Sequence, residues 1–502
     1  MGAGVAFLDY DVDGWLDVYL TNGSSLEGFP PGEAPTDALF RNRGDGTFAD
    51  VTAAAGLGDE RWTQGVSVAD VDADGRPDVY LTNWGPNVLY LNSELAMFRD
   101  VTAERGGGDG RWSTGAAFLD HDRDGDLDLY VANYVEFDAD DLPQQKQEFR
   151  GVEVNLGPRG LPGARDTFYR NDDGVLVDAT VEVGIEESDG YGFQVVVFDH
   201  NEDGWIDVYV GNDSTPNYLW TNDGQGFFVE RAFQVGLAVS LGGAEQAAMG
   251  VAVGDGDGDG RLDLFVTNFS GDYSTFYRND GGNFFSDGTL RANLTMATLP
   301  NLGWGCGFVD LDLDGDRDLF CANGHIYPQV DMFDLGTRYR QRNQVFENTG
   351  GGRFREATAG AGPGFALELV SRGAAMGDFD NDGDVDLLIG NLDGPPTLLR
   401  NESPARGHWL KVELHTAGGH RGAVGARLAL TAGGRRQVAP VGEMSGFLSS
   451  NESCVHFGLG EAELVEELVV RWPSGREQRF RGLRVDRLIV LKEGVEAPIE
   501  RP

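Results

Sequence analysis

Carboxylates two residues apart, set in a loop with a fixed glycine, are the chemistry this sequence repeats most often. The pattern D-x-[DN]-x-D-G-x-x-D occurs seven times, beginning at Asp9, Asp70, Asp120, Asp199, Asp255, Asp310 and Asp378. In so tight a loop the side chains at positions 1, 3 and 5 converge on one point. Position 7 adds its backbone carbonyl, and the carboxylate at position 9 closes the shell. Calcium takes six to eight hard oxygen ligands at about 2.3–2.6 Å, which this arrangement can supply. Gly at position 6 permits the sharp turn, because it reaches positive φ without a Cβ clash.

The candidate ligands are Asp9, Asp11, Asp13, Trp15 and Asp17 in loop 1, and Asp70, Asp72, Asp74, Arg76 and Asp78 in loop 2. Loop 3 offers Asp120, Asp122, Asp124, Asp126 and Asp128; loop 4 offers Asp199, Asn201, Asp203, Trp205 and Asp207. They continue as Asp255, Asp257, Asp259, Arg261 and Asp263 in loop 5, then Asp310, Asp312, Asp314, Asp316 and Asp318 in loop 6. Loop 7 has Asp378, Asp380, Asp382, Asp384 and Asp386. Trp15, Arg76, Trp205 and Arg261 count only for their carbonyls. Asn201 keeps an oxygen but loses a charge, so loop 4 is expected to bind more weakly. An EF-hand would need Glu at position 12 and flanking helices. Here position 12 is Leu20, Leu81, Val131, Val210, Val266, Cys321 or Ile389, all strand residues, and that reading fails.

The elements that carry the loops follow from their flanks. An apolar run such as VAFLD or VVVFD precedes each loop, and a β-rich run such as DVYLTN or DLFVTN follows it. A second signature (LFRN, LYLN, FYRN, LWTN, FYRN, VFEN, LLRN) comes next, and most copies lead through a Gly/Asp turn into a further strand. One repeat therefore reads as four antiparallel strands, A to D. Repeats at this spacing point to a propeller or a solenoid, and the expected fold is all-β: a seven-bladed β-propeller over residues 1–403, then a small β-sandwich or barrel over 404–502. Blade 7 reaches only its third strand before the second domain begins. The chain opens on strand A of blade 1, with no signal peptide, so either the protein is cytoplasmic or this start lies downstream of the true one. Asparagine ends strand B in every repeat and is expected to cap it through an Asx-turn.

Composition excludes several classes. Eighty-two acidic against 39 basic residues give a formal net charge of −43, which disfavours nucleic acid and anionic membranes as partners. No apolar run approaches the roughly 18 residues of a membrane span. Cys306, Cys321 and Cys454 form no zinc spacing; Cys306 and Cys321 either face each other across a hairpin or remain buried thiols. There is no HExxH, no G-x-S-x-G and no P-loop, so no catalytic residue is assigned. His121 and His200 are expected at outward loop positions, and Arg427 and Arg471 in ion pairs.

The loops and the FYRN-type strands resemble the FG-GAP/VCBS repeats of integrin-α-like propellers. Residues 212–220 (NDSTPNYLW), 247–272, 302–316 and 323–331 (NGHIYPQVD) resemble the cartilage acidic protein family and its bacterial relatives, as does GPRGLPG at 157–163. HWLKVEL, GAVGARL, SGFLSS, VHFGLG and VRWPSG, between 408 and 475, resemble that family's C-terminal ASPIC/UnbV domain. The resemblance implies an extracellular or envelope location, and it implies no agreed activity. Usual members carry a signal peptide and an N-terminal segment completing the ring, and some have cysteines in the insertion; this sequence shows neither.

Long B–C connections at 23–38, 134–167 and 324–344 must project from the face opposite the acidic loops, and binding tends to reside on such loops. Strand A starts there, so the residues five to eight before each loop should line a central opening. Trp62, Gln64, Trp112, Thr114, Gln194, Trp304 and Arg372 form that candidate ligand face, with His325 and Tyr327 brought in by an insertion. The alternative is that these side chains only plug the channel. The leading functional expectation is a recognition or adhesion scaffold for a glycan or protein; the others are a carbohydrate- or metabolite-directed lyase or cyclase, and a structural matrix protein.

Overall fold

A computed structural model describes residues 2–30, 33–139, 147–154, 157–186, 188–403, 407–442 and 445–501. Parts of the 134–167 insertion (140–146 and 155–156) lie outside them. Seven larger antiparallel sheets, one per repeat, follow one another along residues 5–399, with two-stranded sheets at Gln147–Phe149/Val152–Val154 and Gln341–Arg342/Glu368–Leu369. The first runs Val5–Leu8, Asp17–Leu20, Ala38–Asn42 and Phe48–Asp50, from strand A to strand D. The seventh has three strands, Ser371–Gly377, Asp386–Asn391 and Thr397–Leu399. Strands A and B are covered on both faces by the neighbouring sheets. They therefore read as unbroken apolar runs, and Gly192–Phe198 is buried at every residue. Strand D lies at the outer edge and is half exposed, as in Val175–Asp178. Short helical turns such as Thr52–Ala55 and Ala232–Val235 follow strand D, where the sequence reading expected plain crossovers; Gly56 and Gly236 end them in the left-handed conformation.

Glycine five residues before six of the seven loops sets the packing around the axis, Gln194 being the exception. A Cβ on Gly115 would sit 2.3 Å from the Phe193 carbonyl, and one on Gly250 would sit 2.0 Å from that of Trp304. One on Gly373 would meet the Ala3 carbonyl at 2.5 Å, so the seventh sheet packs on the first and the ring closes.

Residues 408–501 form two four-stranded sheets around one apolar core that includes Leu410, Leu428, Phe457, Leu468 and Trp472. This unit sits on the acidic-loop face and sends residues 445–450 down the central channel. There Ser445–Gly446 pairs with Val251–Ala252. Val66 N–H donates to Leu448 O (3.2 Å), Phe7 N–H to Ser450 O (3.1 Å), and Ser450 N–H to Val5 O (3.0 Å). The inner edges of several A strands are thus satisfied by the C-terminal domain. Cys306 and Cys321 are cross-strand neighbours, both buried and both free thiols. No helix among the described residues is long and apolar enough to cross a membrane.

Candidate metal loops and the insertion-face pocket

Each acidic loop is held by backbone groups before any ion is considered. Position 9 is the first residue of strand B, and both its oxygens accept backbone N–H groups in every repeat. In loop 2, Asp78 accepts from Val71 (2.8 Å) and from Asn92 (2.8 Å), the asparagine ending strand C. The position 1 carboxylate accepts from the position 6 glycine, as Asp255 does from Gly260 (3.0 Å). The position 5 carboxylate accepts from position 7, as Asp13 does from Trp15 (3.0 Å). Trp15, Arg76, Asp126, Trp205, Arg261, Asp316 and Asp384 thus have their N–H groups turned into the loop.

What remains in the loops is a cluster of carboxylate oxygens, some facing an arginine (Arg41 at Asp11 and Asp13, Arg278 at Asp257, Arg400 at Asp380) and some with no donor at all. Ligand atoms of Asp9, Asp11 and Asp13 lie within 4.8 Å of one another, as do those of Asp70, Asp72 and Asp78, of Asp120, Asp122 and Asp124, and of Asp255, Asp257 and Asp259. Oδ1 of Asp9, Asp11, Asp70, Asp120, Asp310 and Asp380 is buried with no hydrogen-bond partner. Burial pushes the Asp120, Asp310 and Asp378 carboxyls up to about 7, and those of Asp199 and Asp255 to about 6. Buried acceptors with no donor are costly, and a hard cation among them would satisfy all of them together. The donor set fits such an ion. In loop 4 the Asn201 amide instead donates to Asp203 Oδ2 (2.8 Å), which removes one carboxylate and its repulsion.

Two features escaped the sequence reading. Position 4 is left-handed in every loop, with φ near 60° at Val12, Ala73, Arg123, Glu202, Leu313 and Asn381; only loop 5 uses glycine, Gly258. In five of the seven repeats the asparagine of the second signature is an inter-blade clamp: Asn92 Nδ2 donates to Tyr10 O of the preceding sheet (2.8 Å), and Asn222 Nδ2 to His121 O (2.8 Å), whereas Asn171 and Asn279 bond only their own repeat. Its recurrence in all seven repeats was the available signal.

Other expectations need correction. The strand-B asparagines do not merely cap a turn. Their Nδ2 groups bridge the base of the B–C connection whatever its length, from Asn83 to Pro86 O (2.9 Å) and from Asn133 to Arg165 O (2.8 Å). His121 and His200 point inward, not outward, and their Nδ1 atoms bond Asp128 (2.5 Å) and Asp207 (2.6 Å). Arg427 and Arg471 do form ion pairs, with Glu202 (2.7 Å) and Glu477 (3.6 Å).

The central opening is filled, chiefly by the C-terminal loop and not by the ring's own side chains. Gln194 Oε1 accepts from Leu448 N–H (2.8 Å), and Phe447 packs edge-on against Trp304 with centroids 4.9 Å apart. Gln64 is buried, Thr114 is buried and donates to Gly192 O (2.7 Å), and half-buried Trp62 stands edge-on to Trp84; these three and Gln194 do not reach a common site. His325 is fully buried; its Nε2 bonds Ser270 Oγ (3.0 Å) and its Nδ1 accepts from Tyr327 N–H (3.0 Å). Burial and the nearby Arg372 and Arg150 push its imidazole down to about 3.

Trp112, Trp304, Tyr327 and Arg372 do come together. They line a cavity of about 540 Å³ with residues of five sheets, among them Tyr134, Phe137, Phe193, Asp213, Phe269 and Asp272. The Arg372 guanidinium lies 4.1 Å from the Trp304 ring. Its Nη1 donates to Gly324 O (3.0 Å) and Ser371 O (2.8 Å). Burial lowers its pKa to about 9.

A ring of short sheets stacked about an axis, with acidic loops on one face and a pocket on the other, defines a repeat propeller. Sequence comparison agrees: the profile of the FG-GAP-like repeat matches residues 9–81, 70–131, 199–266, 255–321 and 329–389, and that of ASPIC and UnbV matches residues 416–498. The chain belongs to the FG-GAP-like repeat family, with a C-terminal ASPIC/UnbV domain. It is 27% identical over 336 residues to Cartilage acidic protein 1 of Xenopus tropicalis, covering 64% of this chain and 48% of that protein. With the Homo sapiens protein of that name it shares 26% over 337 residues, 64% of this chain and 47% of the relative. The chain spans about half the length of the curated relatives it matches. A solved lectin of Agrocybe aegerita, described as recognising non-reducing terminal N-acetylglucosamine, aligns with a TM-score of 0.40 at 15% identity, over 80% of this chain and 94% of the lectin.

Proposed function

We propose that the chain is a calcium-stabilised recognition scaffold that holds a glycan or protein ligand in the insertion-face pocket. The observation that carries this reading is the aromatic cavity spanning five sheets on the face away from the acidic loops. Pockets of this size, with apolar walls and a few polar groups, suit small ligands or single residues of larger ones. The metal has a structural role in this reading. Bound calcium would add positive charge to carboxylate clusters that Arg41, Arg278, Arg400 and Arg421 offset only in part. With a Kd of ~10⁻⁴ M in ~2 mM calcium, linkage gives ~1.8 kcal/mol per site. Seven such sites give ~12 kcal/mol, comparable with the roughly 5–15 kcal/mol of a whole domain. An extracellular or envelope setting, where calcium is plentiful, accords with that dependence.

Two measurements test the two halves. Excess EGTA should lower the melting temperature by more than about 10 °C; an unchanged curve overturns the metal half. Trp112→Ala combined with Phe137→Ala should abolish binding on a glycan or peptide array while the calcium-dependent melting curve survives. Undiminished binding by that double variant overturns the pocket half.

A further inference from the structure

The pocket holds two donors with no hydrogen-bond partner among the described residues. Arg372 is 1% exposed, and its Nε–H has no hydrogen-bond partner. Trp112 Nε1–H, on the same cavity, also has none. The guanidinium makes no ion pair among the described residues; its polar partners are the backbone carbonyls of Gly324, Ser371 and His325. Carbonyl dipoles offset only part of the cost of burying a full charge, and a buried arginine ordinarily has an anion beside it. Here the place for that anion is the cavity.

The same walls carry acceptors. Asp213 takes hydrogen bonds from Tyr134 Oη (2.8 Å) and Ser214 Oγ (2.9 Å), which leaves lone pairs open. Asp272 stands exposed on the same cavity, where it feels the charge of Arg159, another lining residue. Aromatic faces alternate with these groups: Trp112 stands edge-on to Phe137 at 5.4 Å and to Tyr134 at 5.6 Å. Rings of this kind bind flat C–H surfaces, and lone carboxylates bind vicinal hydroxyls. An unpaired guanidinium binds a carboxylate. One residue type presents all three.

Resting on the pocket reading above, we propose that the cavity takes a uronate residue of an acidic glycan. The sugar carboxylate faces Arg372, ring or glycosidic oxygens accept from Trp112 Nε1, and the hydroxyls donate to Asp213 and Asp272. A peptide carboxylate would meet the same arginine but would bring no hydroxyls for the two aspartates. The net charge of −43 repels any polyanion at a distance. That field is screened by salt, whereas contacts inside the pocket are not. Affinity for an acidic oligosaccharide should therefore rise as sodium chloride goes from 10 to 150 mM, the reverse of a surface electrostatic contact.

The test is calorimetric titration of the calcium-loaded full chain with a glucuronate-containing tetrasaccharide, its carboxyl-reduced neutral analogue and a tripeptide with a free C-terminus. The acidic sugar should bind roughly ten- to a hundredfold tighter than the neutral one, the span of a charged hydrogen bond. Arg372→Gln should bring the acidic sugar down to the neutral level without changing the neutral sugar. If that variant does not fold, Trp112→Phe, which keeps the ring and removes the donor, should still weaken both sugars. Equal affinity for the two sugars overturns the carboxylate assignment and leaves the pocket reading standing. Tighter binding of the tripeptide overturns the sugar assignment. No binding by any of the three overturns both.

Discussion

A β-branched residue at positive φ is strained, and Val12 at φ 59° occupies position 4 of its loop with its side chain 40% exposed. Nothing in the packing compensates it, whereas loop 5 meets the same backbone demand with Gly258. Val12→Gly should therefore raise stability by about 1 kcal/mol in chemical denaturation, with or without calcium. The buried His325 gives a second residue-scale expectation. Its folded pKa of about 3 lies below the ordinary value of 6.5. Its contribution is thus full above pH 6.5 and is lost as pH falls towards 3, because the unfolded chain takes up the proton first. Arg372, Arg150 and Tyr327 face the ring. Subtracting melting curves of His325→Gln from those of the wild type between pH 7 and 4.5 should isolate this loss. A pH-independent difference would show that the ring does not titrate on unfolding.

At the scale of the element, five of the seven sheets are tied to their neighbour at the acidic-loop face by the asparagine that ends strand C. Asn92 Nδ2 serves both Tyr10 O of the preceding sheet (2.8 Å) and Pro77 O of its own (3.2 Å), whereas Asn279 Nδ2 serves only Leu262 O (3.1 Å). Asn92→Ala should cost about 1–3 kcal/mol and Asn279→Ala less, as measured by urea denaturation; equal costs would remove the inter-sheet component. The strands, loops and ring were legible from the sequence because one local pattern encodes each of them seven times. The asparagine roles were legible only as recurrence, since their partners lie in another repeat or across a connection of variable length. The insertion-face cavity was legible in part. Strand direction brings Trp112, Trp304 and Arg372 to one cavity, but not Gln194, whose partner is Leu448, 254 residues away in the other domain. Pairing at that separation leaves no mark in a repeat.

For the whole molecule, the domain boundary near residue 404 divides the chain but not its stabilisation. Arg421 reaches Asp9 (3.3 Å), its backbone N–H bonds Asp70 Oδ2 (2.7 Å), and Lys411 pairs with Glu452 (2.5 Å) beside Asp378. A chain ending at residue 403 loses these contacts and the filler of the channel, and bares Phe193 and Trp304. It should melt more than about 10 °C lower or not remain soluble, even in saturating calcium; an unchanged melting curve would show the ring to be self-sufficient. The same feature bears on the order of events at the ribosome. Residues 445–450 are translated after every strand of the ring, yet they complete hydrogen bonds of Val5, Phe7 and Val66, which are made hundreds of residues before them. The first strands of the ring must therefore wait, with inner edges unpaired, until residues 445–450 have emerged. A premature stop anywhere before that loop releases a chain whose sticky edges have no partner of their own, so quality control should treat late nonsense alleles as severely as early ones.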